Sequence, residues 1–569
     1  MEYNKTQVLH DVTMNYLKTL NKSNLPTPAE IADNIIEQVN DTFSLRNASL
    51  TYKDRKWNMP DSLSPVQVAV IIEYLYPVKC VCCIDDATDA AYDLVAIYQE
   101  DGPEKGIYST QERVFNQIAR SFNPELTTRQ LTEIYTHVRD NVPRVNRCRD
   151  RNLVPVNNGI FDYDTKQLLP FTPDKVFLTK CRVDYNPYAT SPVIHNDDDG
   201  TDWELEEWMK DLSDEEGVTV LIWEIIGACI RPNVSWDKAA WLCSDVGSNG
   251  KGSLCRLIRN ICGAPNCTAI ALDDFSKEFA LEPLIRVSAI INDENDSDIY
   301  IDRCANLKAV ITNDVIQINR KFKTPVAYQF RGFMVQCING MPKVRDKTDS
   351  FYRRQLCIPF RKNFQGIERR YIKGNYFYRD DVLQYALYRV LNMNYYELSN
   401  PPACKAMLME YKEFNDPLRQ FWNEMEDEFV WDFLPFGFLY DLYKAWSAKN
   451  LPQSKVIAST SFNTQLAGIV YKESDEWQAP LKDKDGRFVQ IRPAGMMDAG
   501  EPLIGAYDLK EWMDPSYNGL DMNRKLRPRL KAKYRGLIRK SVTKAQTGQQ
   551  TGIVTTKGPD EDDKSTGSD

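Results

Sequence analysis

Three consecutive runs constrain this chain more than any others. They are Ala239-Ala240-Trp241-Leu242-Cys243, then Asp245-Val246-Gly247-Ser248-Asn249-Gly250-Lys251-Gly252-Ser253, then Leu254-Cys255-Arg256-Leu257-Ile258. An apolar run enters a glycine-rich turn, and the turn opens a segment with apolar residues at helical spacing. Strand, glycine turn and helix form the setting of a phosphate-binding loop. Backbone N–H groups of the turn and of the helix start point at phosphate oxygens. Lys251 adds a point charge at the β- and γ-phosphates, so the expected nucleotide-binding residues are Gly247, Ser248, Asn249, Gly250, Lys251, Gly252 and Ser253. The usual pattern has glycine where Asp245 stands and a hydroxyl where Gly252 stands; here the hydroxyl is displaced to Ser253. Alone, the run is equally consistent with a surface turn between a core strand and a core helix.

Two further strand-like runs end in polar residues. Val287-Ser288-Ala289-Ile290-Ile291 leads into Asn292-Asp293-Glu294, about 40 residues after Lys251, a spacing that suits two strands of one nucleotide-binding sheet. Of such an acidic pair, the first carboxylate holds Mg²⁺ and the second polarises the water that attacks the γ-phosphate. Gly332-Phe333-Met334-Val335-Gln336-Cys337-Ile338 ends in Asn339, an amide able to orient that water or touch the γ-phosphate; before Gly340 it also suits an ordinary turn. Arg353 and Arg354 precede the strand-like Gln355–Phe360, and either one is placed to stabilise transition-state charge at a neighbouring subunit's ATP or to make a surface ion pair.

In this order the motifs resemble a superfamily 3 helicase. They are GSNGKGSLCRLI, FSKEFALEPLIRVSAIINDEN, INRKFKTPVAYQF, MVQCINGMPKV and SFYRRQLCIPF. More narrowly, the chain resembles the helicase part of the phage, plasmid and poxvirus-type primase-helicases. VPVNNGIFDYDTKQLLPF and PPACKAMLMEYKEFNDPLRQFW resemble the segments that precede and follow that ATPase, so the likeness spans roughly residues 60 to 450. The resemblance implies an ATP-dependent DNA helicase working as a ring, expected to be a hexamer, on single-stranded and forked DNA. It implies ATP and Mg²⁺ as cofactors, with Ser253 and Asp293 as metal ligands. Lys251, Asp293, Glu294 and Asn339 would serve in one subunit and Arg353 or Arg354 would come from the next. It also brings in a separate primase, polymerase or initiator as partner.

Val315–Phe330 reads as two alternating segments around a basic tip, a hairpin-like element. Arg320, Lys321 and Lys323 supply cations and Phe322 an aromatic face, a mixture suited to phosphates and a stacked base of a single strand. In the resembled family a hairpin here projects into the central channel.

The expected fold class is α/β: a P-loop AAA+-like ATPase core, a mixed α/β N-terminal domain and a C-terminal winged-helix-like domain. The expected domains are a helical segment at 1–50, the mixed domain at 51–200, the ATPase at 201–370 and a helical segment at 371–430. A winged-helix-like domain at 431–540, of a kind that binds duplex DNA or simply packs, and a disordered tail at 541–569 complete the chain. Within these, a helical stretch is expected from Trp203 to Gly227, and short strands around Gly159–Tyr163, Val176–Thr179 and Phe488–Ile491. The net charge of −9 excludes a generally basic nucleic-acid coat, so DNA contacts must be local. Fourteen cysteines, scattered and partly in core strands, suit a reducing cytoplasm, that of a host cell if the source is viral. Three histidines, none beside a cysteine cluster, argue against a zinc site, and no apolar run reaches membrane-spanning length. Asp85, Asp86 and Asp89 are candidate carboxylates for primer synthesis, but the N-terminal region leaves little room for a polymerase fold. The rival expectations are a bifunctional primase-helicase, an origin-binding initiator or remodeller, and a scaffold with a degenerate loop.

Overall fold

Strands buried on both faces lie at the centre of this chain. The computed structural model describes residues 4–541, apart from 23, 52–54, 87–92, 297–298, 322, 452–455, 480–483 and 485. The expected roles of Phe322, Asp89 and the tail from 542 onward therefore lie outside the described residues. The chain is mixed α/β and divides into two units, Met1–Met409 and Glu410–Asp569.

The first unit opens with helices Lys5–Thr19, Pro28–Ala48 and Pro65–Leu75. The second of these starts as the sequence expects: Thr27 and Glu30 form a reciprocal capping box, with proline at the first helical position. These helices pack with Glu112–Phe122 and Thr128–Asn141 over a four-stranded sheet that includes Val78–Val81 and Leu94–Tyr98. A three-stranded meander, Leu153–Val156, Gly159–Asp162 and Gln167–Leu169, follows.

The core sheet holds β1 (Ala239–Cys243), β2 (Cys267–Thr268), β3 (Ala289–Asn292), β6 (Phe333–Ile338) and β7 (Gln355–Pro359). Their order is β2–β3–β6–β1–β7, and every pair is parallel. All residues of β1, β3, β6 and β7 are buried, as two-faced parallel strands require. Between β3 and β6 the chain makes an antiparallel hairpin of β4 (Val315–Arg320) and β5 (Lys323–Gln329). Helix α1 (Lys251–Cys262) follows β1 and packs its apolar stripe, Leu254, Leu257, Ile258 and Ile261, into the main core. A short helix, α2 (Arg370–Gly374), packs beside α1.

In the second unit, α3 (Pro417–Met425) precedes β8 (Phe433–Pro435), α4 (Phe436–Asn450), α5 (Ser459–Glu473), β9 (Trp477–Gln478) and β10 (Gly536–Arg539). The strands form an antiparallel sheet in the order β8–β10–β9. The Phe438, Leu439, Leu442, Tyr443 and Trp446 stripe of α4 is core, packed with Phe421, Phe462 and Trp477.

The structure corrects four local expectations. Val176–Thr179 forms no strand; Val176 and Phe177 are buried, and their carbonyls accept from the Cys148 and Tyr108 N–H groups at 2.8 Å each. Phe488–Ile491 forms no continuous strand: Phe488 and Ile491 are single bridge residues, the latter paired with Tyr534. The stretch from Trp203 begins in a strand, Thr201–Glu204, paired with Val193–Asn196, and continues as two helices, Leu205–Asp211 and Val218–Ile230. The segment 371–430 is not one helical piece: Phe377, Leu387 and Val390 join the core of the first unit, whereas Phe421 and Trp422 join that of the second.

Candidate nucleotide-binding site

Because β1, β3 and β6 run parallel, their C-terminal ends open on one edge of the sheet. Cys243 pairs with Ile338 and Asn292 with Gln336, so Ser244 and Asn339 begin their loops side by side and Asp293 leaves β3 level with Cys337, two residues before Asn339. The strand that ends in Asn339 lies between the other two, with the glycine loop on one side and the acidic pair on the other.

The glycine loop leaves β1 and curls back through two left-handed residues, Ser248 (φ +54°) and Gly250 (φ +87°). Gly250 caps α1, and a Cβ there would lie 2.5 Å from Leu212 Cδ2, so both backbone and packing require glycine. The Phe364 N–H donates to the Ser248 carbonyl at 2.7 Å, and Ser248 Oγ donates to Glu368 at 3.0 Å. Asn249 is buried and turns its amide back onto the Val246 carbonyl at 2.5 Å. Asp245 sits exposed at the start of this curl.

Lys251 is only 4% exposed. Its Nζ donates to Asn339 Oδ1 at 2.6 Å and to the Ile338 carbonyl at 2.9 Å. Burial pushes its pKa below the ordinary lysine value, opposed by nearby groups that include Asp245. Asn339, expected to face the reacting water or phosphate, thus also orients the lysine.

Asp293 and Glu294 are exposed just beyond β3. Asp293 pairs with Arg259 of α1 at 3.2 Å, which ties the acidic strand end to the helix of the glycine loop. Asn295, two residues on, is buried: its amide donates to Gln336 Oε1 (3.0 Å) and the Cys337 carbonyl (2.9 Å), and its Oδ1 accepts from Leu272 N–H (3.1 Å). Each such buried group, if orphaned, costs about 1–3 kcal/mol, so Asn295 fixes the direction in which the acidic pair leaves the sheet. Arg259 and Asn295 are site residues that the motif spacing does not single out. Their signals are weak but present: an arginine two turns beyond Lys251 on one helix, and a second amide closing the run Asn292-Asp293-Glu294-Asn295.

A groove of about 970 Å³ adjoins the loop, with Gly250, Ser253, Phe364, Lys373 and Trp208 in its wall. A larger cleft of about 1140 Å³ lies elsewhere, lined by Asp93, Arg139, Glu282 and Arg320. It has no residue of the glycine loop in its wall, so of the two the smaller groove is the one that adjoins the loop.

Arg353 and Arg354 are not brought to this edge. They precede β7, whose N-terminal end lies at the opposite edge of the sheet. Arg354 is half-buried and donates to the Ser350 carbonyl and, at 3.0 Å, to its Oγ. Arg353 is exposed, its carbonyl held by Lys238 Nζ.

The hairpin residues are also apart from the glycine loop. Lys321 is exposed at the turn, its N–H donating to Glu282 at 3.4 Å, while Arg320 is half-buried and lines the larger cleft. Lys323 opens β5 opposite Arg320. At its base the hairpin is tied to the N-terminal region: Gln329 N–H donates to the Cys83 carbonyl (3.2 Å), and Arg147 donates to Tyr328 OH (3.1 Å) and the Gln329 carbonyl (2.9 Å). Arg331 pairs with Asp85, and Asp86 with Arg149 at 2.7 Å, so these two carboxylates make structural ion pairs. Among the described residues no group of three or more His, Cys, Asp or Glu side chains is arranged to hold a metal, all fourteen cysteines are free, and no helix is long and apolar enough to cross a membrane.

Three family models match the chain: "D5 N terminal like" at 69–213, a family of unknown function (DUF5906) at 242–354, and "Poxvirus D5 protein-like" at 413–490. No curated protein matches. Among solved structures, the apo NrS-1 C-terminal region (305–718) is 14% identical, with 74% of this chain and 98% of that one covered at a TM-score of 0.41. The JCV helicase bound to a thiazolopyridinyl-phenoxyphenyl acetamide is 15% identical, with 37% and 58% covered at 0.23. One D5 match precedes the glycine-loop sheet and the other follows it, in the order that the sequence resemblance implies, and these matches support the likeness to the D5-type primase-helicases.

Proposed function

We infer that this chain is an ATP-dependent DNA helicase acting in replication of a phage, plasmid or related element, and that it moves along single-stranded DNA as a ring. The observation that carries this reading is the convergence of Lys251, Asn339 and the Asp293–Glu294 pair at one edge of a parallel sheet. The strand order, with the Asn339 strand between the loop strand and the acidic strand, supports the AAA+-like P-loop assignment.

The chemistry follows from the geometry. The amides of the curled loop and the start of α1 hold phosphate oxygens, and Lys251, already positioned by Asn339, neutralises charge there. Glu294 accepts the proton of the attacking water. Asp293 and Ser253 would hold Mg²⁺, which takes one or two protein oxygens and completes its shell with water and substrate oxygens; the exposure of Asp293 leaves it accessible for that role. When bound, Mg²⁺ would offset the charge that develops on the phosphates.

Arg353 explains the need for a ring. Five residues of β7, at about 3.3 Å each, put roughly 16 Å between its start and the edge that carries the glycine loop. An arginine side chain does not span that distance, so Arg353 can act only on a neighbour's ATP. Arg354, engaged by Ser350, holds the turn that presents it. Arg320, Lys321 and the turn of the hairpin supply the strand contact.

Glu294→Gln tests this assignment. The variant is expected to bind ATP with parental affinity and to lose roughly 100-fold or more of DNA-stimulated hydrolysis, measured by phosphate release. Parental turnover would remove Glu294 from the mechanism.

The second unit supports a contact with duplex DNA. Its order α3–β8–α4–α5–β9–β10, with sheet order β8–β10–β9, supports a winged-helix reading. Helix α5 leaves Thr464, Gln465, Tyr471 and Lys472 exposed, a polar face suited to a groove. The basic run Arg524–Arg535 lies in the segment 479–535 that joins the last two strands. Gln465→Ala with Lys472→Ala is expected to weaken blunt-duplex binding at least about 10-fold while sparing ATPase stimulation by single strands. Unchanged duplex binding in a gel-shift titration would reject the contact, and sequence-specific binding would favour an initiator.

A further inference from the structure

We propose that Lys373 is a second cation on the phosphates of this site, and that position 252 is glycine because a side chain there would displace it. The proposal rests on the triphosphate reading above.

Gly252 needs an explanation. It lies in the first turn of α1 with no left-handed backbone angle, so its conformation does not call for glycine. In a helix glycine is disfavoured relative to alanine by about 1 kcal/mol. The usual loop carries a hydroxyl at this place, which Gly252 lacks.

The structure supplies a reason. A Cβ on residue 252 would have a single neighbour within 4 Å, Lys373 Nζ at 3.3 Å. That ammonium belongs to α2, is exposed, and lines the same groove as Gly250 and Ser253. Lys251 is held on the sheet side of the loop by Asn339 and the Ile338 carbonyl. Lys373 arrives from the groove side, so the two lysines flank the first turn of α1, where the helix dipole favours anions. An exposed lysine beside a helix N-terminus is not stabilised by the helix dipole, which favours anions there. A phosphate between the amides and the ammonium turns that unfavourable pairing into a favourable one. Adding Ser at 252 would restore the common loop residue, and its side chain would press on Lys373 Nζ, which would have to shift by a few tenths of an ångström or more.

The test is a double-mutant cycle on the full chain, with steady-state ATP hydrolysis, binding of fluorescent ATP and ADP, and thermal melting as readouts. Lys373→Met is expected to raise KM for ATP roughly 10-fold, as loss of one charge-assisted phosphate contact would. Melting should not change, because Lys373 is exposed, and Lys373→Arg should recover most of the affinity. Gly252→Ser, although it moves the loop toward the common pattern, is expected to raise KM by a similar factor. In the Lys373→Met background it should add nothing. Parental KM and kcat in Lys373→Met, or additive effects of the two substitutions, would overturn the proposal while leaving the ATPase reading intact. Hydrolysis by the parent that is lost in Lys251→Ala identifies that case. A parent that neither binds nor hydrolyses ATP overturns both.

Discussion

Lys251→Ala is expected to lower ATP affinity roughly 100-fold or more and to leave no DNA-stimulated hydrolysis, because it removes the one buried cation of the glycine loop. Stability should behave differently. Burial holds the Lys251 pKa below its ordinary 10.5, so the folded state binds this proton less tightly than the unfolded state does. The resulting penalty is fully present below the folded pKa and vanishes above the unfolded value. At neutral pH the variant escapes that penalty, while the Ile338 carbonyl and the Asn339 amide oxygen lose a donor. The opposing effects should keep its melting temperature near the parent's. As pH rises toward 10.5 the parent recovers stability and the variant does not, so the variant's relative melting temperature should fall with pH. A large loss of stability at pH 7 together with lost activity would instead mark Lys251 as a structural lysine. Calorimetry from pH 7 to 10 alongside nucleotide titration separates the outcomes.

Arg353→Ala is expected to cut hydrolysis about 1,000-fold or more with ATP affinity nearly preserved, the signature of a group that acts on transition-state charge. Because Arg353 lies at the sheet edge away from its own glycine loop, the loss should be rescued in mixtures. Arg353→Ala subunits retain a complete loop and Lys251→Ala subunits retain the arginine, so co-assembled rings regain competent joints between unlike neighbours. Phosphate release from mixed samples should exceed that of either variant alone. No recovery at any ratio, in samples shown by native mass spectrometry to be mixed, would place the arginine's effect within one subunit. Arg354→Ala, which frees the turn held by Ser350, should produce a smaller defect that mixing does not repair.

How much of this was legible in the sequence follows from what each residue depends on. The glycine loop, its flanking strand and helix, the hairpin and the stripe of α4 are local patterns, written in periodicity and turn residues. Arg259, Asn295 and Lys373 were not legible because their roles depend on which chain segments meet. Arg259 matters because β3 ends beside α1, and Asn295 because β6 lies between β3 and β1. Lys373 is about 120 residues from Gly252 in sequence and becomes its neighbour only when α2 packs beside α1. The short strands at 176–179 and 488–491 were misjudged for a related reason. An apolar run of four residues suits a buried loop as well as a strand, and long-range partners decide which. The choice between Arg353 and Arg354 likewise rests on Ser350, which no spacing rule singles out.

The hairpin's roots at Cys83, Arg147 and Asp85 also bear on mechanics. An element fastened at its base to the loops that leave a separate sheet behaves as a lever rather than a loose flap. Load applied to its tip is delivered to the N-terminal layer as well as to the strands on either side, so neither can be displaced without the other feeling the torque.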